Sequence, residues 1–170
     1  MKAGIAIGSN LGNRAAALER AFAFLERLSP GHCLRSPVLE TAPVDCPPGS
    51  GAFLNAAAEI EFPGSPRELL ARLHEHERGE GRKRDGEEGR ERNAPRAIDL
   101  DLLYFGDRVI AEDDLVVPHP RMAARRFVLE PLAAIVPGLI LPGETRTIST
   151  LLKQLTDDLN QTESRPNHER

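Results

Sequence analysis

The chain predicts an α+β fold of ferredoxin-like type, β-α-β-β-α-β, with helices packed on an antiparallel sheet and a helical extension after it. Three observations carry that prediction. Short apolar runs bounded by turn residues recur at 3–7, near 32–40, at 53–62 and up to about 105. Two segments with helical spacing of large apolar residues separate them. No internal repeat or second set of core segments follows, so residues 1–156 read as a single domain.

Residues 3–7 form the first strand, closed by the turn chemistry of Gly8-Ser9-Asn10. Leu18, Phe22, Leu25 and Leu28 share one face of a helix over 14–28, and Ser29-Pro30-Gly31 stops it. A strand near 32–40 leads into a Pro/Gly-rich loop at 41–51, and 53–62 returns as a strand. Ser65-Pro66 is an N-cap followed by proline at the first helical position, and Leu69, Leu70 and Leu73 mark the buried side of a helix reaching about Arg78. Residues 79–95 hold four glycines, no aromatic residue and no Val, Leu, Ile or Met, so they pack no core. A connection of that length inside a compact domain is expected to be functional or disordered. The next strand ends near Phe105, and Val116-Val117-Pro118-His119-Pro120 reads as a rigid turn. Helices over 127–136 and 148–155 complete the domain, and 157–170 is expected to be a polar, frayed tail.

Composition narrows the function. The hydrophobic share of 40% and charged share of 28% are ordinary for a soluble domain, and the net charge of −4 disfavours nucleic acid or an anionic membrane as partner. No apolar run approaches the ~20 residues that span a bilayer, and the N-terminal apolar stretch is too short for a secretory signal. Cys33 and Cys46 have no metal-ligand spacing and form no disulfide framework. A cytoplasmic location is the expectation.

The chemistry concentrates in Arg92-Asn93-Ala94-Pro95-Arg96-Ala97-Ile98-Asp99-Leu100-Asp101-Leu102-Leu103. In a strand, Ile98, Leu100 and Leu102 share the core face, while Asp99 and Asp101 share the other. Like charges side by side destabilise a sheet, and a hard divalent cation resolves the conflict. A lone Asp-x-Asp is also consistent with an ordinary half-exposed strand. The arginines around it favour the cation. The segment from Arg78 to Arg96 carries Arg82, Lys83, Arg84, Arg90 and Arg92 among Glu80, Asp85, Glu87, Glu88 and Glu91, so its bulk charge is nearly balanced. That suits specific guanidinium–phosphate contacts to a small polyphosphate better than a nucleic-acid surface, and Arg82, Arg84 and Arg96 are the candidates.

Glu77 falls on the apolar side of its helix near a C-terminus, where the dipole disfavours a carboxylate; a ligand hydroxyl or a nearby arginine would account for it, as would simple surface exposure. His119, between two prolines and ahead of Arg121, Arg125 and Arg126, is either a phosphate donor or a surface turn residue. Neither a zinc cluster, a Gly-x-Ser-x-Gly elbow nor a Walker A sequence is present.

In order and spacing, five motifs together resemble the 6-hydroxymethyl-7,8-dihydropterin pyrophosphokinase family: Ala6-Ile7-Gly8-Ser9-Asn10-Leu11-Gly12, Phe53-Leu54-Asn55-Ala56-Ala57, Arg92 to Leu103, Val117-Pro118-His119-Pro120-Arg121-Met122 and Arg126-Phe127-Val128-Leu129. The resemblance spans about residues 3 to 155. It implies transfer of pyrophosphate from ATP to the hydroxymethyl group of the pterin, releasing AMP, in folate biosynthesis. It further implies that Asp99 and Asp101 hold two Mg²⁺ ions. Arg82 and Arg96 match arginines that assist transfer, and Glu77, Arg84, Arg96, Ile98, His119 and Arg125 match ATP contacts. Thr41, the backbone near Val44 and Asn55 match groups that read the pterin edge, and Phe53 and Phe127 the aromatic pair that sandwiches its ring; outside the resemblance, both phenylalanines read as core. No general base is implied, since phosphoryl transfer rests on positioning and electrostatics. A monomer is expected.

The chain departs from that pattern at Asn93, where many relatives carry an aromatic residue, at Phe53, where some carry tyrosine, and in a longer stretch between Arg84 and Arg92. The alternatives are another two-metal nucleotidyl or phosphoryl transferase, distinguished by its products, and a non-catalytic ferredoxin-like binding module. An RNA-binding module of that fold would carry aromatics on its central strands and a basic face; this chain has one tyrosine and no tryptophan.

Overall fold

The computed structural model describes residues 1–29, 31–43, 48–81 and 96–163. The order is β1 (Lys2–Ser9), α1 (Arg14–Leu28), β2 (Cys33–Arg35), β3 (Leu39–Thr41), β4 (Phe53–Glu61), α2 (Pro66–Gly79), β5 (Asp99–Phe105), β6 (Ile110–Glu112), β7 (Leu115–Val117), α3 (Arg126–Ile135) and α4 (Ile148–Glu163). The main sheet runs β2-β4-β1-β5, with β3 continuing beside β4, and every pairing is antiparallel. This is the ferredoxin-like arrangement read from the sequence.

Local chemistry sets the helix starts. Asn13 Oδ1 accepts from the Ala16 amide at 3.1 Å to cap α1. Ser65 and Glu68 form a reciprocal capping box at α2, with Pro66 in its first turn.

The sheet separates two cores. On one face Ala3, Ile5, Ile7, Ala56, Ala58, Ile60, Leu100 and Leu102 pack against Leu18, Phe22 and Leu25 of α1 and Leu69 and Leu73 of α2. On the other, Ala57, Leu103 and Tyr104 lie under Val128, Leu129 and Leu132 of α3 and Ile148 and Leu151 of α4. β5 carries a bulge: Gly4 pairs with Tyr104 but Ile5 with Leu102, leaving Leu103 as the extra residue, so that Leu103 and Tyr104 both lie in the second core. Ahead of the bulge the alternation is regular, so Ile98, Leu100 and Leu102 are buried as read, with Asp99 and Asp101 half-buried opposite them. Tyr104 folds its ring over Gly4, where a Cβ would lie 2.1 Å from the ring.

Three local expectations are corrected. The strand near 32–40 is two strands, because Pro37 has no amide for a ladder; Ser36 bridges the break, its amide donating to Ala57 O at 2.9 Å and its hydroxyl accepting from the Ala57 amide at 2.8 Å. The turn at 116–120 begins inside a hairpin, β6–β7, too short to show period-2 alternation. The last helix does not end near 155. Polar residues 157–163, assigned to a frayed tail, continue α4, since the apolar stripe of Ile148, Leu151, Leu152 and Leu155 anchors it and solvated residues propagate it.

Candidate active site

Gly8 of β1 pairs with Asn55 on one side and Asp99 on the other, and Ala6 pairs with Ala57 and Asp101. Residues opposite one another share a face, so Asn55, Phe53, Asp99 and Asp101 stand on one surface with only Gly8 and Ala6 between them. Small residues in the middle strand leave that floor low. Thr41 joins the same surface through its pairing with Phe53, and Asn55 Nδ2 donates to Thr41 Oγ1 at 2.7 Å. The amide is thereby oriented, leaving Oδ1 leaning toward Gly8, 3.4 Å from where a Cβ would be.

At the other edge, Arg96 enters β5. Its amide donates to Asn10 Oδ1 at 2.9 Å and its carbonyl accepts from the Asn10 amide at 3.2 Å, a two-bond clamp on the end of β1. Its guanidinium lies 3.2 Å from Asp99 Oδ2, offsetting part of the repulsion between the aspartates. Glu77 is 2% exposed, and its Oε1 accepts the Leu100 amide at 2.7 Å. Among the described residues β5 is a sheet edge, so no neighbouring strand serves that amide. The misplaced acid of α2 therefore caps the strand that carries both aspartates.

His119 follows β7. Its amide donates to Leu103 O at 2.7 Å, pinning the turn to β5, and its Nδ1 accepts from the Arg121 amide at 3.2 Å. A neutral ring then carries its proton on Nε2, free to donate. Burial, and then the charges of Arg125 and Arg121, hold its pKa below the usual imidazole range; Asp99 pulls the other way. Arg125 lies over the Phe127 ring, 5.5 Å from its centre. Phe127 itself is half-buried against the second core.

The structure thus brings Thr41, Phe53, Asn55, Asp99, Asp101 and Arg96 to one end of the sheet, with Glu77 behind β5 and His119 within electrostatic reach of Asp99. The Ile98 side chain is fully buried, so any ligand contact there falls to its main chain. Arg82, Arg84 and Val44 lie outside the described residues, as do Cys46 and Asn93. Sequence reasoning missed Asn10 as the clamp on Arg96: Gly8-Ser9-Asn10 signals a turn, and no local pattern joins positions 86 apart.

Among the described residues no group of three His, Cys, Asp or Glu side chains gathers for a metal ion. Two half-buried carboxylates two residues apart on one face do fit a hard cation that takes its remaining oxygens from water and a phosphate ligand.

The family model for 7,8-dihydro-6-hydroxymethylpterin-pyrophosphokinase matches residues 4–137, through every residue just described. The chain belongs to that family. Relatives named 2-amino-4-hydroxy-6-hydroxymethyldihydropteridine pyrophosphokinase include that of Haemophilus influenzae, 34% identical over 90% of this chain and 92% of the relative. The protein of that name in Bacillus subtilis is 41% identical over 77% of this chain and 75% of its own length. Among solved structures, the wild-type HPPK-DHPS of Plasmodium falciparum with SDX-DHP superposes with a TM-score of 0.75 at 13% identity, which bears on the fold alone. That match covers 99% of this chain but 46% of the Plasmodium one, so this chain spans under half of that protein.

Proposed function

We propose that this chain transfers pyrophosphate from ATP to the hydroxymethyl oxygen of 6-hydroxymethyl-7,8-dihydropterin, releasing AMP, as a step of folate biosynthesis. The observation that carries the reading is the shared row Asn55–Gly8–Asp99. Two strand spacings, roughly 10 Å, separate an amide suited to a pterin edge from a carboxylate suited to a polyphosphate–cation complex. A flat bicyclic ring laid over Gly8 reaches from one to the other and points its hydroxymethyl arm at the aspartates.

Within this reading, Thr41 orients Asn55, whose Oδ1 accepts the pterin N–H groups, and Phe53 and Phe127 flank the ring. Asp99 and Asp101 would hold Mg²⁺, two ions with ATP bound, which neutralises phosphate charge and lines up attacking and leaving oxygens. Arg96 and Arg82 meet the transferred phosphates, Arg84, Arg125 and the His119 Nε2–H contact ATP, and Glu77 keeps β5 in register. Residues 1–156 act as one domain. A monomer working in the cytoplasm completes the proposal; among the described residues no helix is long and apolar enough to cross a membrane.

Product analysis with Mg²⁺, ATP and the pterin alcohol tests it. AMP and pterin pyrophosphate are expected in equal amounts, and neither from Asp99→Ala. ADP would mean transfer of a single phosphoryl group and overturn the assignment. No turnover by folded protein would favour a binding module.

A further inference from the structure

Arg14 is the first residue of α1, where the positive end of the helix dipole disfavours a cation, and no acidic residue sits in that turn to offset it. What compensates lies across the fold. Its Nη1 donates to the Ala52 carbonyl at 2.7 Å, and its Nη2 meets Glu40 Oε2 at 3.0 Å. Ala52 immediately precedes Phe53, and Glu40 immediately precedes Thr41. One guanidinium therefore holds both ends of the β3–β4 connection, and it does so from outside the surface on which Thr41, Phe53 and Asn55 stand. The staple has a job there: β3 is three residues long and among the described residues pairs only with β4, so few ladder hydrogen bonds fix its position.

We infer that Arg14 is a positioning residue for the pterin: its hydrogen bond to Ala52 O fixes the start of β4, and hence the placing of Phe53 against Thr41 and of Asn55 two residues further on. The inference rests on the pyrophosphokinase reading. The two bonds are unequal in weight. The Glu40 carboxylate is 60% exposed, and exposed ion pairs contribute little. The carbonyl bond is partly buried and charge-assisted, and carries most of the effect.

The test is the dissociation constant of 6-hydroxymethyl-7,8-dihydropterin, with Mg²⁺ and α,β-methylene-ATP present, for wild type, Arg14→Ala, Arg14→Lys and Glu40→Gln. The nucleotide dissociation constant, kcat for AMP release and Tm are measured alongside. Arg14→Ala is expected to weaken pterin binding about tenfold, the weight of one charge-assisted hydrogen bond, with nucleotide affinity and kcat within about twofold. Arg14→Lys, which reaches one acceptor but not both, falls between, and Glu40→Gln stays near wild type. Unchanged pterin affinity in Arg14→Ala overturns the inference. So does a parallel loss of pterin affinity, nucleotide affinity and Tm, which is the mark of a merely structural residue. Wild-type protein that releases no AMP overturns the functional reading itself; active wild type with an indifferent Arg14 overturns only the role of Arg14.

Discussion

Asn55 and Asp99 stand at the same level of the sheet, each paired in register with Gly8, so a single glycine is all that separates them. The sequence carries no such proximity: the two lie in different strands with α2 and the arginine-rich segment between them. A methyl at position 8 would sit 3.4 Å from Asn55 Oδ1 and 3.9 Å from the Phe53 ring, ordinary contact distances on an extended strand. Gly8→Ala is therefore expected to fold normally, with Tm within a few degrees of wild type. It occupies the floor a flat ring would lie on, so KM for the pterin should rise about tenfold or more, the scale of overpacking a fitted site. Steady-state kinetics with each substrate varied would check it; an equal rise in KM for ATP would show that the pterin does not lie over Gly8.

The carboxylate pair makes a sharper demand. Both aspartates are expected to be needed, because among the described residues no group of three His, Cys, Asp or Glu side chains gathers there to supply a replacement ligand. Asp101→Ala should lower AMP formation by at least about 10²–10³-fold, comparable with removal of one preorganised electrostatic group in other enzymes. Chelation should abolish turnover and added Mg²⁺ restore it. Retained activity in Asp101→Ala, or in chelator, would remove the metal from the mechanism.

Much of this was legible because strand alternation is strict. Ile98, Leu100 and Leu102 against Asp99 and Asp101 could be assigned to faces from spacing alone, and the Ser65-Pro66 start of α2 from capping chemistry. What the chain hid were relations set by tertiary structure. Glu77 looked like a ligand residue or a surface acid, and its described partner is an edge amide on β5 that no local pattern links to α2. The bulge at Leu103 depends on what the neighbouring strand offers. The Thr41–Asn55 bond follows from register, which hydrophobic patterning of a three-residue strand cannot define.

His119 offers a pH-resolved test of the nucleotide side. Its folded pKa lies below the ordinary imidazole value because of burial and the nearby Arg125 and Arg121. It is therefore neutral at pH 7, and the stability that this depressed value confers is present above about 6.5 and lost as pH falls through the folded pKa. In NMR the free protein should show His119 titrating below 6.5. Adding Mg²⁺ and α,β-methylene-ATP should move that titration upward, because phosphate oxygens oppose the arginine charges. His119→Ala should raise KM for ATP about tenfold, as expected for a lost hydrogen bond to a charged group. A titration indifferent to nucleotide would place His119 outside the ATP site.

At the opposite end of the same sheet face, Glu59 supplies a prediction about stability rather than catalysis. It is 2% exposed and receives the Tyr104 hydroxyl at 2.7 Å, His32 Nε2 at 3.1 Å and Lys2 Nζ at 3.2 Å. Burial alone would push the carboxyl up, but these three partners outweigh it and hold it below the usual range. A carboxylate with a lowered folded pKa stabilises the protein above its unfolded value of about 4.3, and that contribution disappears as pH falls through the folded value. Tyr104→Phe keeps the ring over Gly4 and removes one donor to a buried charge. It should cost about 1.5–3 kcal/mol at pH 7, measured by urea unfolding. The gap between variant and wild type should narrow once the pH drops below about 4, where the carboxyl is protonated in both the variant and the unfolded chain. A gap independent of pH would mean that Tyr104 acts through packing on Gly4 and not through Glu59.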